Sequence, residues 1–154
     1  MKSVRSRANR ASRIALLVVV AIGGAQAHIP LTPAILNDAF EELERAQAAA
    51  DRETDKAGKA AAIYNFAISA TDLMTLLNQE IQLHGKEQQE LLDEAVAVAA
   101  DLEIEITWSE DHQRYFYTGK AYRQYLELVP DGLNAANSRY HLLETGFYRG
   151  DAEN

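Results

Sequence analysis

The chain has 154 residues, no cysteine, and 23 Asp and Glu against 15 Lys and Arg, which gives a formal net charge of −8. This length suits one domain with a real hydrophobic core. The lack of cysteine excludes disulfides, a thiol nucleophile and acylation of a lipoprotein cysteine. The acidic balance disfavours nucleic acid and anionic membrane surfaces as partners.

The first 27 residues have the pattern of a secretory signal peptide. Lys2 and four arginines make a basic opening, residues 14–21 (IALLVVVA) are apolar, and residues 25–27 (AQA) have the spacing of a cleavage site. An uncleaved anchor is the alternative, but it needs about 20 apolar residues, and Gly23 and Gly24 interrupt this stretch. We therefore expect cleavage near Ala27 and a periplasmic or secreted product without stable membrane insertion.

Cleavage would leave residues 28–154 as a single helical domain. Five of the 15 Lys and Arg lie before residue 28, whereas all 23 Asp and Glu follow it, so the net charge becomes −13. Such a surface favours solubility and, where it takes part in binding, a basic partner.

Helix signals begin directly after the signal peptide. Thr32 is a suitable N-cap, and Pro33 suits the first helical position. Apolar residues at helical spacing predict a helix through about residue 50: Ile35, Leu36, Phe40 and Leu43. The polar segment 51–59, which contains Gly58, either breaks this helix or is the exposed middle of a longer one.

Two further helices are predicted before residue 102. The second covers 60–83 and ends near Gly85, and its apolar face contains Ile63, Phe66, Ala67, Ala70, Leu73, Met74, Leu77 and Ile81. The third has Leu91, Ala95, Val98 and Leu102 on one face. Residues 102–108 alternate with a period of two, which is typical of a strand. Because a lone strand would lack a pairing partner, we expect an irregular or helical continuation there.

A fourth helix is predicted over 110–128 with Ser109 as its cap, and a fifth runs from Asp131 or Asn134 to about Arg149. Pro130 separates them, and Gly150 ends the chain's last helix. The aromatic face of the fourth helix, which includes Tyr115, Tyr122 and Tyr125, indicates core packing, with a ligand groove or partner-binding ridge as the alternative. We therefore predict an all-α fold of about five helices.

The end of the chain resembles the tetratricopeptide-like repeats of bacterial envelope proteins, such as outer-membrane assembly lipoproteins and Tol-Pal-associated coordinator proteins. The matching positions are Tyr122, Tyr125, Leu126, Pro130, Asp131, Ala135, Tyr140, Leu142, Phe147, Tyr148, Gly150 and Asp151. Arg139, Leu143 and Gly146 depart from the family pattern. The resemblance covers about 109–151 and implies antiparallel helix pairs that bind protein and carry no chemistry.

The leading prediction is an exported, non-catalytic scaffold that binds a protein or peptide of the cell envelope in a groove between helices. Its contacts would be acidic faces and the exposed members of an aromatic set: Tyr115, Tyr117, Tyr122, Tyr140 and Tyr148. The oligomeric state is not indicated. A helical bundle that binds a small ligand or a metal is the alternative, followed by an enzyme of another kind.

The four histidines form no metal motif. His141 with Glu144, and Glu80 with His84, are isolated helix pairs, too few for a tight site. His28 would become the amino terminus after cleavage, where its amine and imidazole resemble half of a copper-binding histidine brace, or it is merely the residue that the peptidase leaves. No P-loop, G-x-S-x-G or G-x-G-x-x-G occurs. We therefore expect no catalytic residue, cofactor or metal.

Overall fold

A computed structural model of the chain describes residues 30–85 and 87–150. The predicted signal peptide and His28 lie outside the described residues. Within them the prediction of an all-α fold with about five helices is confirmed. The elements are α1 (Pro33–Arg52), α2 (Lys56–His84), α3 (Gln89–Asp101), β1 (Ile106–Ser109), β2 (Arg114–Tyr117), α4 (Lys120–Leu128) and α5 (Ala135–Arg149).

The predicted start of α1 is confirmed. The Thr32 hydroxyl accepts a hydrogen bond from the Ile35 amide at 3.3 Å, and Pro33 occupies the first helical turn. The helix ends at Arg52, and α2 starts after Asp55, whose carboxylate accepts the Gly58 amide at 2.9 Å. Segment 51–59 therefore contains a true break, because Asp55 caps a new helix.

The 29-residue helix α2 is the centre of the fold and packs against α1, α4 and β2. Among the helices of the described residues, it alone is long and apolar enough to span a membrane by length and composition. Its buried positions, including Ala67, Leu73 and Leu77, belong to the same hydrophobic core as α1, α4 and the hairpin. One third (33%) of its most apolar 18-residue window is buried in this core. In α3 the buried face is Leu92, Ala95 and Ala99, which shifts the predicted face.

Residues 106–117 correct two predictions. β1 and β2 form an antiparallel hairpin in which Ile106 lies opposite Tyr117 and Ser109 opposite Arg114. The predicted helix over 110–128 is wrong in its first ten residues, since α4 begins only at Lys120. The rejection of a strand in 102–108 is also wrong. The missing pairing partner was the Arg114–Tyr117 segment itself, whose aromatic residues suit a pleated, half-buried surface.

The α4–α5 corner follows its local sequence signals. α4 ends at Leu128 before Pro130, and α5 ends at Arg149 with Gly150 in the left-handed conformation, φ 82°. The Tyr125 hydroxyl accepts the Asn134 amide at 3.0 Å across the corner. A Cβ on Gly132 would lie only 2.5 Å from that hydroxyl, so the close approach requires glycine.

Candidate functional site

A cleft lies between α1, α2, α4 and the segment after α3, and we call it the helical groove. Its volume is about 450 Å³, within the range of roughly 300 to 1,000 Å³ typical of ligand sites. Apolar side chains from all four segments line it: Ala50, Ile63, Phe66, Leu102, Ala121 and Leu128. The groove can therefore bind a ligand whose apolar part contacts this lining and whose polar part contacts the rim.

The rim of the groove carries three carboxylates and two ammonium groups, from Asp51, Glu103, Glu127, Lys59 and Lys120. Lys120 donates a hydrogen bond to Glu103 at 2.5 Å. This hydrogen bond and the charge of the ammonium group lower the pKa of Glu103. With these two charges paired, the remaining rim has two carboxylates, Asp51 and Glu127, against Lys59.

The inner end of the groove is closed by a tyrosine that also caps a helix. The Tyr117 hydroxyl accepts the Ala121 amide at 2.9 Å, a bond that satisfies one of the free amides in the first turn of α4. Gly119, the N-cap, has no side chain to do this. Burial raises the pKa of the Tyr117 hydroxyl, partly offset by the bond from Ala121. Tyr117 is therefore a structural wall of the groove.

A second cluster of polar groups lies beneath α5. The hydroxyls of Thr71 and Tyr122 are 2.9 Å apart, and the His141 ring stacks on Tyr122 at 4.7 Å between centroids. Glu144 Oε2 lies 3.7 Å from His141 Nδ1. The cavity beside these groups measures about 20 Å³, room for roughly one water molecule. The cluster is packed too tightly to hold a substrate.

The structure places three of the five predicted contact tyrosines in the core. Tyr115, Tyr117 and Tyr122 are only 6%, 4% and 1% exposed, so they cannot form a partner-binding surface. The core interpretation of Tyr115, Tyr122 and Tyr125 is confirmed. The helix expected over 110–128 did not anticipate the burial of Tyr115 and Tyr117, because the hairpin turns both against α2. Tyr122 lies on a helix as predicted, and its hydroxyl contacts Thr71 of α2.

The other two tyrosines lie on α5. Tyr140 is 61% exposed, and Tyr148 is half-buried. Arg114 donates a hydrogen bond to the Tyr148 hydroxyl at 2.7 Å, and its guanidinium group lies 4.4 Å from the ring centroid. Tyr148 is thus held to the hairpin, and the exposed ring of Tyr140 can contact another molecule.

An exposed apolar row, which we call the α5 stripe, covers the outer face of α5 and begins two residues before the helix: Leu133, Ala136, Tyr140, Leu143 and Phe147. Four of the five exposed large hydrophobic side chains in the described part belong to it, and Leu143 is 74% exposed. The opposite face of the helix buries Ala135, Ser138 and Thr145. An apolar row of this kind indicates an interaction surface.

The histidine–acid pairs form in space but remain pairs. His84 Nε2 lies 3.9 Å from Glu80 Oε1 on α2, and the buried Glu80 carboxylate also accepts the Leu31 amide at 2.9 Å. In residues 30–85 and 87–150, no three His, Cys, Asp or Glu side chains converge as metal ligands. Glu80 instead anchors Leu31, just before the start of α1, through this hydrogen bond.

The sequence predicted a groove between helices but not the residues that line it, because they come from segments that are far apart in the chain. No local motif marks Gln47, Lys59 or Gln124 as neighbours of Glu127. The α5 stripe, by contrast, has a visible signal, since its members recur at spacings of three and four.

Comparison of the chain with protein-family models, curated proteins and solved structures finds no match. The resemblance to tetratricopeptide-like repeats therefore stays a prediction based on the residues of 109–151.

Proposed function

We propose that the chain is an exported, non-catalytic helical scaffold that binds a protein or peptide segment of the cell envelope in the helical groove. The observation that carries this proposal is the groove itself, with a volume of about 450 Å³, apolar side chains in its lining, and a rim of three carboxylates and two ammonium groups. A cleft with apolar and charged parts suits a segment that inserts one apolar side chain and pairs its neighbours with the rim.

The charge of the groove favours a basic segment. Once Lys120 is paired with Glu103, Asp51 and Glu127 outnumber Lys59 on the rim. The net charge of −13 expected after cleavage would also attract basic partners over a distance. Rim charges of this kind affect mainly the association rate and the choice of partner.

The compartment and the repeat-like architecture belong to the same proposal. The basic, apolar and A-x-A pattern of residues 1–27 supports export. The resemblance implies a helix pair, and α4 and α5 contact each other on either side of Pro130, although residues 114–117 of the matching segment form a strand and not a helix. That family binds proteins, which supports a scaffold function for this chain.

A small ligand is the second candidate for the groove, because the same volume suits a compact organic molecule. The two candidates differ in the contact area that they require. A peptide must reach the rim residues Asp51 and Glu127, whereas a small ligand could be held by the apolar lining alone.

The test compares three purified proteins expressed from the full sequence: the natural chain, the groove variant Asp51→Lys/Glu127→Lys, and the control Glu90→Lys/Glu94→Lys. Both variants change the charge equally, and the control positions lie on α3, outside the groove. Each protein is used to capture envelope proteins for mass spectrometry, and peptides of the captured protein are then titrated by fluorescence anisotropy.

We expect a partner, and a basic peptide from it, that the natural chain and the control bind and the groove variant loses. Equal binding by all three proteins would contradict the proposal, because the partner would then bind outside the helical groove. A groove that binds only small molecules, with no reproducible protein captured, would favour the second candidate.

A further inference from the structure

The α5 stripe has the spacing of a helix that pairs with another helix. Its members within α5 (Ala136, Tyr140, Leu143 and Phe147) follow one another at intervals of four, three and four residues, the alternation found along the seam of paired, supercoiled helices. The core-facing side of α5 is already occupied by the hairpin and α4. The stripe is therefore a second apolar face on a helix that needs only one for its own fold.

We infer that the stripe is the contact surface of a homodimer in which α5 of one copy packs in parallel against α5 of a second copy. This inference goes beyond the proposed function, because the helical groove lies between α1, α2 and α4 and includes no residue of α5. The dimer would leave both grooves accessible.

Charges on the two flanks of the stripe make it complementary to itself. Arg139 directly precedes Tyr140, and Glu144 directly follows Leu143, so the two charges lie on opposite flanks, five residues apart. In a parallel helix pair, this spacing places Arg139 of each copy beside Glu144 of the other. Two-fold symmetry produces this ion pair twice.

An antiparallel pair would lack this complementarity. Each flank would then face the same flank of the second copy, which places Arg139 near Gly146 and Glu144 near Asn137. No opposite charges would meet. The charge pattern thus selects both the partner and its direction.

Contacts within each copy already hold the flanking and apolar side chains in place. Arg139 donates to the Pro130 carbonyl at 2.6 Å, and this bond uses one of its five N–H donors. Glu144 lies 3.7 Å from His141 Nδ1, and the Phe147 ring stacks on His112 at 4.7 Å. The fixed Phe147 ring loses less conformational entropy on association, whereas the Glu144 carboxylate would be shared between His141 and Arg139 of the second copy.

The size of the contact sets the expected affinity. From Ala136 to Phe147 the stripe extends over about 16 Å of helix and offers four apolar side chains per copy, whereas a standard stable interface takes about 20 to 30 residues a side. We therefore expect a dissociation constant in the micromolar range, accessible to sedimentation equilibrium.

The first experiment measures the dimer dissociation constant of the chain, expressed from its full sequence, and of Leu143→Glu. The matched control is Leu83→Glu, since Leu83 is a large exposed hydrophobic residue (55%) on α2, away from the stripe. We expect Leu143→Glu to raise the dissociation constant roughly 30-fold or more, and Leu83→Glu to leave it unchanged. Circular dichroism verifies that both variants stay folded.

The second experiment tests the direction of the pair. Arg139→Glu and Glu144→Arg should each weaken the dimer, and the double exchange should restore it. Because the natural chain has no cysteine, Leu143→Cys introduces a single thiol that faces its symmetry mate in a parallel pair. It should form an intermolecular disulfide under mild oxidation, whereas Leu83→Cys should not.

A chain that is monomeric up to high micromolar concentrations would overturn the inference, as would a dimer that tolerates Leu143→Glu. A dimer that is sensitive to Leu143→Glu but gains nothing from the double exchange and no disulfide from Leu143→Cys would overturn the parallel arrangement. None of these outcomes affects capture by the groove, so the two proposals fail separately.

Discussion

The buried side chain of Asn78 forms two hydrogen bonds with the backbone of Tyr115. Its Nδ2 donates to the Tyr115 carbonyl at 2.9 Å, and the Tyr115 amide donates to its Oδ1 at 2.7 Å. The side-chain amide of Asn78 thus bonds the backbone N–H and C=O of Tyr115 on the open edge of β2, where a third strand would otherwise pair. An isolated two-stranded sheet is marginally stable. These two hydrogen bonds from α2 therefore stabilise the hairpin.

Replacing Asn78 should therefore destabilise the fold strongly. Asn78→Ala leaves a buried amide and a buried carbonyl without partners, and we expect the free energy of unfolding to fall by about 2 to 4 kcal/mol. Urea unfolding followed by circular dichroism measures the change. Asn65→Ala, at an exposed position of the same helix, should change stability little. Equal effects of the two substitutions would contradict the role of Asn78.

Two glycines near the C-terminal end should respond to alanine in opposite directions. In Gly132→Ala the new Cβ would lie 2.5 Å from the Tyr125 hydroxyl and 2.9 Å from Val129 Cγ2, so we expect a loss of about 1 to 3 kcal/mol. Gly146 lies inside α5, and an added methyl group there would meet nothing within 4 Å. Gly146→Ala should therefore stabilise the chain by up to about 1 kcal/mol. Thermal unfolding of the two variants gives the comparison, and a common sign would be inconsistent with these contacts.

The buried tyrosines predict a loss of stability at alkaline pH. Burial raises the pKa of Tyr122, and also that of Tyr117, above the usual value of 10. The folded state then binds more protons than the unfolded state once the pH exceeds 10, so the free energy of unfolding must fall as the pH rises further. Stability profiles above pH 9, read with the ultraviolet absorbance of tyrosinate, measure this effect.

A hydroxyl deletion tests which tyrosine is responsible. Tyr122→Phe removes the bond with Thr71 and should cost about 1 kcal/mol at neutral pH, while making the alkaline decline shallower. Tyr140→Phe, at an exposed position, should alter neither quantity. An unchanged alkaline profile in Tyr122→Phe would assign the decline to other groups.

The rim ion pair predicts a specific change in titration. Lys120→Met removes the hydrogen bond and the charge that lower the pKa of Glu103, so that pKa should return towards its ordinary value. Stability should change little, since the pair is open to solvent, with the Glu103 side chain 71% and the Lys120 side chain 42% exposed. NMR titration of the Glu103 carboxyl resonance measures the shift. Lys59→Met, which removes a rim ammonium group outside this pair, should leave the pKa of Glu103 nearly unchanged.

Most helix limits in the described residues follow from local sequence signals. Thr32 with Pro33, the Pro130 break and Gly150 act through the backbone of their own segments, by capping, by removal of an amide or by tolerance of positive φ. Such local chemistry is complete in a few neighbouring residues. The apolar face of α2 could also be predicted, because the spacing of its apolar residues is a property of one helix.

The formation of the hairpin, the burial of the tyrosines and the formation of the groove depend on tertiary contacts. Residues 106–109 become a strand only when 114–117 pairs with them, and 114–117 is held by Asn78, which is 37 residues away from Tyr115 in the chain. Whether an aromatic side chain is buried, or four distant segments form a cleft, depends on contacts that no local pattern contains. The α5 stripe depends on both. Its spacing is visible in the sequence, but its exposure results from the packing of the opposite face of α5 on the core.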